Sequence, residues 1–160
     1  MSDFYERVGG EKFFADLSSQ FYSHVVMDPI LLPMYPDDDL KGAAQRLKMF
    51  LEQYWGGPTT YQDSRGHPRL RMRHARFQID VAARDAWLGA MNKAVQGMDM
   101  DEELRVQLWS YLEMAADAMV NQPDLDWFPT FRISPLRRYQ SVPFLSRTVV
   151  TRSPTFSTTP

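Results

Sequence analysis

The sequence predicts an all-α domain with four main helices, followed by a C-terminal extension of different character. Within the first 123 residues, four stretches carry apolar side chains every three or four positions, the spacing of a helix that buries one face. No stretch alternates convincingly between apolar and polar residues as a half-buried strand does. The one short candidate, Arg69–Arg73, follows Pro68 and is therefore assigned to a helix.

The composition excludes several classes of protein. A chain of 160 residues with 44% hydrophobic and 13% aromatic residues can build one domain with a substantial core. Its net charge of −2 is not that of a protein whose whole surface binds polyanions. The absence of cysteine rules out disulfides, iron–sulfur clusters and thiolate ligands, and three histidines without a His-x-x-x-His pair argue against structural zinc. No signal peptide or integral membrane segment is apparent, so we expect a cytoplasmic protein.

The first long helix is predicted over residues 11 to about 26, after one or two helical turns in Asp3–Val8 that end at a glycine pair. Its apolar stripe consists of Phe14, Leu17, Phe21 and Val25. Tyr22 lies beside this stripe, so its hydroxyl can point into whatever the stripe covers. Three prolines then interrupt residues 27–36, where we expect a buried irregular corner that fixes Tyr35.

The second long helix is predicted to begin at Asp37–Asp39, whose charges complement the N-terminal end of a helix dipole. It ends at the Gly-Gly-Pro run of residues 56–58, and a polar connection follows over residues 59–66. Its inward face consists of Leu40, Ala43, Leu47, Phe50, Leu51 and Tyr54. The small Ala43 leaves room above this face.

Asp80 is predicted to cap the third long helix, residues 81 to about 95, which Gly97 ends. An aspartate at position 99 or 101 starts the fourth, which closes at Asn121 and Pro123. The inward residues are Trp87, Leu88, Met91, Ala94 and Val95 on the third helix, and Leu104, Leu108, Tyr111, Leu112, Ala115 and Met119 on the fourth.

Residues 124–160 differ from the helical domain of residues 1–123. They contain five prolines, many serines and threonines, and no helical period. Five arginines and two aspartates give this segment a net charge of +3, which leaves −5 on residues 1–123. We expect a flexible extension that docks weakly on the domain or not at all.

A single histidine in a basic stretch organises the candidate chemistry. We expect Pro68 in the first turn of a short helix that places Leu70 and His74 on one face. The neighbouring stripe carries Arg69, Arg73 and Arg76. One axial nitrogen, an apolar wall and cations for two propionates are what an iron porphyrin requires. His67 competes for the axial role, although its place before Pro68 suits a helix start. A haem-free helical module that binds phosphate or nucleic acid through residues 69–76 is the alternative.

Several spaced motifs of the first 123 residues occur together in one known family. They are Phe21-Tyr22, Met34-Tyr35-Pro36, Phe-Leu-Glu-Gln-Tyr-Trp-Gly-Gly-Pro at 50–58, Gly-His-Pro-Arg-Leu-Arg-Met-Arg-His at 66–74, Ala86-Trp87-Leu88, and the glycine pairs at 9–10 and 56–57. From Asp3 to Pro123 the chain resembles the group II truncated haemoglobins of bacteria. The resemblance does not extend to residues 124–160.

The resemblance implies a truncated globin fold, a two-over-two helical sandwich around haem b (iron protoporphyrin IX). His74 matches the iron ligand of that family, and Ala43 stands where many globins place a distal histidine. The residues that match its ligand-facing donors are Tyr22, Tyr35 and Trp87. The other cofactor-binding candidates are Leu47 beside the ligand, Phe50 and Phe77 against the porphyrin, and Arg73 at a propionate.

The resemblance further implies reversible binding of dioxygen, carbon monoxide and nitric oxide at a five-coordinate iron, and hence oxygen binding and transport. Phenol and indole donors stabilise a polarised ligand in a dry pocket. The resulting slow release of dioxygen also favours nitric oxide dioxygenation or peroxidase-type chemistry. Either reaction needs an unidentified reductase, because the chain carries no flavin or nicotinamide motif. No nucleic acid is expected as a partner, and a basic extension on an acidic domain allows a homo-oligomer.

Overall fold

The computed structural model describes residues 3–35 and 39–122. These residues form seven α-helices, and no strand occurs among them. The helices are α1 (Phe4–Arg7), α2 (Gly10–Val25), α3 (Leu40–Tyr54), α4 (Thr60–Arg65), α5 (Leu70–His74), α6 (Val81–Gln96) and α7 (Glu102–Met119), with a 3₁₀ turn at Leu32–Met34. The predictions for Asp37, Asp38 and the extension of residues 124–160 fall outside the described residues.

The four long helices confirm the predicted all-α architecture. Helix α2 packs against both α3 and α6, and α6 packs against α7, which gives two pairs of helices. All four stripe residues predicted for α2 are completely buried in the core. Between them, the buried Ser18 donates its hydroxyl to the carbonyl of Ala44 at 2.7 Å. This bond satisfies a polar group in the core and fixes how α2 crosses α3.

Local signals determine where α6 begins and ends, as predicted. The Asp80 carboxylate accepts a hydrogen bond from the backbone N–H of Ala83 at 2.8 Å, which satisfies one of the donors left free in the first turn. Gly97 follows the last helical residue. Asp101 likewise precedes α7, although its side chain makes no capping bond.

The predicted buried corner between α2 and α3 is wrong for most of its residues. Met27 is 82% exposed and Ile30 is 46% exposed, and among residues 27–35 only Leu31 is buried, at 2%. The Asp28 carboxylate accepts hydrogen bonds from the backbone N–H groups of Ile30 and Leu31, both at 2.9 Å. This local turn, which a sequence period does not show, presents the apolar side chains to solvent.

Two expectations for residues 59–74 also need correction. Part of the polar connection is helical, because α4 spans Thr60–Arg65 and buries Tyr61. The helix that carries His74 begins at Leu70 rather than at Pro68. Arg69 precedes it in the left-handed region at φ +42°, a conformation that a non-glycine residue rarely adopts and that breaks the helical path from Pro68.

None of the described helices combines the length and apolar character needed to cross a membrane.

Candidate functional site

A cavity of about 570 Å³ lies among α2, α3, α5, α6 and α7. This volume is within the usual range for small-molecule and cofactor sites. All eight residues that the sequence singles out line it, namely Tyr22, Tyr35, Leu47, Phe50, Arg73, His74, Phe77 and Trp87. The structure thus brings the candidates together, and their contacts with a cofactor stay predictions.

His74 supplies the one imidazole that lines this cavity among the described residues. Its Nδ1 lies 2.8 Å from the carbonyl oxygen of Leu70, one turn earlier in α5. A carbonyl only accepts, so Nδ1 carries the proton and Nε2 keeps its lone pair. His67 is exposed and its Nδ1 accepts from the backbone N–H of Arg69 at 3.3 Å, outside the cavity. The geometry therefore favours His74 over His67 as an axial ligand.

Two tyrosines form a coupled pair in the cavity wall. The rings of Tyr22 and Tyr35 meet edge to face with centroids 5.5 Å apart, and each hydroxyl affects the pKa of the other. Burial raises the pKa of Tyr22 far above its usual range, and the neighbouring Tyr35 hydroxyl raises it further. Burial also raises the pKa of Tyr35, despite the opposing effects of Tyr22 and Arg46. Both phenols therefore stay protonated and can donate.

Trp87 provides a third donor from α6. Its ring packs on the buried Phe21 with centroids 5.2 Å apart, which sets the direction of the indole. Within residues 3–35 and 39–122, no protein group accepts its N–H. A half-buried donor on a cavity wall is suited to a polar atom of a ligand.

The remaining walls of the cavity are largely apolar. Phe50 packs edge to face on the buried Tyr61 at 5.7 Å, and Leu47 lies one turn earlier on the same helix. Ala43, a further turn back, is 6% exposed and offers only a methyl group. On another side, the Phe77 ring lies 6.3 Å from that of His74. These flat and small side chains suit a flat ring system.

Arg73 has a structural role that the sequence did not predict. Its guanidinium donates to the carbonyl of Pro68 at 2.8 Å and to that of Arg65 at 2.6 Å. It also lies 5.9 Å from the ring centre of Tyr61. Arg73 therefore braces the segment between α4 and α5, and a further contact with a propionate stays a prediction.

A second arginine at the cavity was also missed. Arg46 pairs with Asp39 through two bonds of 2.6 and 3.3 Å, and both residues line the cavity. The hydrogen bond from Arg46 holds the pKa of Asp39 below its usual range. A Cβ added at Gly42 would lie 2.1 Å from Asp39 Oδ1, so a side chain at position 42 would displace the Asp39 carboxylate from this position. The spacing of Asp39, Gly42 and Arg46 on one helical face could have revealed this arrangement.

Comparison with known proteins identifies the family. A family model described as bacterial-like globin matches residues 3–121. The chain belongs to this family. This globin is 40% identical over 122 residues to the group 2 truncated hemoglobin YjbI of Bacillus subtilis (strain 168), covering 76% of the globin and 91% of that relative. The resemblance to group II truncated haemoglobins is thereby confirmed.

Solved structures confirm the truncated globin fold. A thermostable hemoglobin from the actinobacterium Thermobifida fusca is 53% identical, with a TM-score of 0.75 over 78% of this globin and 100% of that chain. The group II truncated hemoglobin from Bacillus anthracis is 39% identical, with a TM-score of 0.73 over 78% of this globin and 94% of that chain.

Membership of the globin family implies haem b as cofactor and diatomic gases as ligands, and the cavity fits that group. It offers an imidazole with a free Nε2, apolar walls for a flat ring system, and arginines for carboxylates. The haem-free alternative is wrong for a globin.

Proposed function

We propose that this globin binds dioxygen reversibly on haem iron held by His74, and that Tyr22, Tyr35 and Trp87 slow its release. The observation that carries the proposal is that one cavity is lined both by an imidazole whose Nδ1 is bonded to a carbonyl and by three aromatic side chains with donor groups. Haem, when bound, supplies an iron with one axial position open to dioxygen, carbon monoxide or nitric oxide. The chain's own residues decide how the cofactor is oriented and how long a ligand stays.

On the proximal side, the hydrogen bond from His74 Nδ1 to Leu70 fixes both the tautomer and the rotation of the imidazole. With Nδ1 engaged by the Leu70 carbonyl, Nε2 is the nitrogen available to the iron. This favours a ferrous site with one histidine ligand. Arg46 and Arg73, which both line the cavity, are the cations proposed to meet the propionates.

On the distal side, two phenols and one indole supply the donors. The neighbouring Tyr22 and Tyr35 hydroxyls can each donate to a ligand, and Trp87 contributes an N–H. A polarised ligand such as dioxygen gains more from these donors than carbon monoxide does. The arrangement supports retention of dioxygen more than its rapid delivery.

Slow release supports a redox use as well as oxygen binding and transport. Dioxygen held in the cavity could oxidise nitric oxide to nitrate, and the haem could turn over peroxide. Both uses need electrons from a reductase, which this chain does not supply by any motif in its sequence. We propose a cytoplasmic location and a separate reductase, and self-association through the basic extension remains part of the proposal.

The purified haem-loaded protein tests the proposal directly. The ferrous form should show a five-coordinate histidine spectrum that converts on oxygenation and returns on deoxygenation. Stopped-flow mixing of the oxygenated protein with nitric oxide should yield ferric protein and nitrate, and repeated turnover should require a reductase. A ferrous spectrum with two protein ligands, or oxygenation that cannot be reversed, would refute the binding proposal. Oxygen binding without nitrate formation would refute only the dioxygenase use.

A further inference from the structure

The residue just beyond α7 holds the segment that follows His74. The Asn121 side chain donates from Nδ2 to the carbonyl of Phe77 at 2.9 Å and to that of His74 at 3.3 Å. Its Oδ1 accepts from the backbone N–H of Ile79 at 3.0 Å. The nitrogen and the oxygen of the amide are thus both hydrogen-bonded, to three backbone groups that lie 42–47 residues earlier in the chain.

Backbone contacts reinforce this connection. The N–H groups of Asn121 and Gln122 both donate to the carbonyl of Ile79, at 2.9 and 3.1 Å. The carbonyl of His74 also accepts from the N–H of Phe77 at 3.0 Å. The result is a clamp, defined as the Asn121 amide with its bonds to residues 74, 77 and 79. It fixes the chain immediately after the imidazole.

The clamp is not a helix cap. Asn121 lies two residues past Met119, the last residue of α7, and three of its four side-chain bonds go to residues 74–79, while the fourth accepts from Gln122. The last turn of α7 is itself tied to α6, because Arg84 forms an ion pair with Asp117. Asn121 therefore connects the His74 segment to an anchored helix end.

We propose that Asn121 is a positioning residue that sets the orientation of His74 and Phe77 toward the haem without touching the cofactor. The inference rests on the proposed function, because it supposes that His74 is the axial ligand. Helix α5 has five residues, too few to be rigid alone. The His74 ring is hydrogen-bonded to Leu70, which belongs to the same helix. The orientation of the ring therefore depends on the orientation of α5 as a whole. Asn121 holds the C-terminal end of α5 in place.

The matched variants are Asn121→Asp and Gln122→Ala in the full-length haem-loaded protein. Aspartate keeps the shape and the acceptor for Ile79, but it places an anionic oxygen against the carbonyls of His74 and Phe77. Alanine at position 122 removes only an exposed side chain that donates to Asn121 at 3.3 Å and leaves the backbone bonds to Ile79 in place. Asn121→Ala serves as a second variant, because it removes the amide without adding charge.

The readout is the iron–histidine stretching band in the resonance Raman spectrum of the deoxygenated ferrous protein. Both Asn121 variants should shift or broaden this band, and haem transfer to an excess of an apoglobin acceptor should be about threefold to tenfold faster, since hydrogen bonds at an exposed site are lost. Gln122→Ala should match the unmodified protein in both measurements.

The outcomes separate this inference from the function on which it rests. If the unmodified protein lacks an iron–histidine band, the proposed ligation by His74 fails. If the band is present and stays unchanged in Asn121→Asp and Asn121→Ala, the positioning role is overturned, even where the melting temperature falls. A shift in the aspartate variant alone would assign the effect to its charge and would also overturn the role.

Discussion

Replacing Trp87 with phenylalanine should speed the release of dioxygen far more than the release of carbon monoxide. The indole N–H has no protein acceptor within residues 3–35 and 39–122, so the ligand is its available partner in the cavity. Tyr22 differs, because the ring of Tyr35 packs against it and the Tyr35 hydroxyl can donate in its place. Trp87 is therefore the donor whose removal is least compensated by its neighbours.

The magnitude follows from the strength of one hydrogen bond to a charged acceptor. Such a bond contributes about 1.5–3 kcal/mol, and each 1.4 kcal/mol corresponds to roughly a factor of ten. Dioxygen release should thus rise about tenfold to a hundredfold in Trp87→Phe. Phenylalanine keeps an aromatic ring against Phe21, which limits the change in packing. Carbon monoxide carries little charge, and its release should change much less.

The assay is stopped-flow replacement of each ligand in the ferrous protein, with Leu47→Ala as the control for bulk. Leu47 lines the same cavity with an apolar side chain, so its truncation should alter the two release rates by similar factors. Tyr22→Phe should have a smaller effect on dioxygen than Trp87→Phe, because the Tyr35 hydroxyl remains. Equal changes for both ligands in Trp87→Phe would show that Trp87 is a steric gate, and the distal reasoning would be refuted.

Four further changes test other parts of the structure. His74→Gly should abolish the five-coordinate ferrous spectrum, with partial recovery in added imidazole, whereas His67→Ala should leave the spectrum intact. Asp80→Ala should lower the free energy of unfolding in urea by about 1 kcal/mol, because the cap on Ala83 is lost. The pKa of Asp39 is lowered by Arg46, so its pairing stabilises the fold above the ordinary carboxyl pKa and is lost as the pH falls through the lowered value. Thermal unfolding of Asp39→Asn should therefore differ from the unmodified protein at neutral pH and converge with it in acid. A chain ending at Gln122 retains Asn121 and all cavity-lining residues that the structure describes, so its oxygenation spectrum should match that of the full chain.

The long helices could be predicted because their signals are local. The apolar stripe of α2 and the Asp80 cap of α6 each depend on residues within a few positions of one another, and helix geometry converts that spacing into a face or a capped end. Tyr22 could be placed near the cavity for the same reason, because it lies beside the predicted stripe of α2. Trp87 belongs to the predicted inward face of α6, and the family resemblance assigned it to the ligand.

The features that the sequence did not predict depend on contacts that leave no periodic pattern of apolar residues. Helix α4 has six residues and one buried side chain, Tyr61, which is too little for a recognisable stripe. The exposed corner depends on the carboxylate of Asp28, whose bonds to two N–H groups override the apolar character of the segment. The bonds from Arg73 to backbone carbonyls could not be predicted, because every residue has a carbonyl and no motif marks these two.

Different contacts hold the residues on the two sides of the proposed haem site. The effects of substitutions on the two sides can therefore be measured separately. The distal donors are oriented by aromatic packing within and between α2 and α6, as in Phe21 on Trp87. The proximal ligand is oriented by a bond within α5 and by Asn121 from beyond α7. Asn121 and Trp87 share no partner among the described contacts, so their free-energy effects should add. A protein with both Trp87→Phe and Asn121→Asp should therefore release dioxygen at the product of the two single-variant factors. Its iron–histidine band should match that of Asn121→Asp alone.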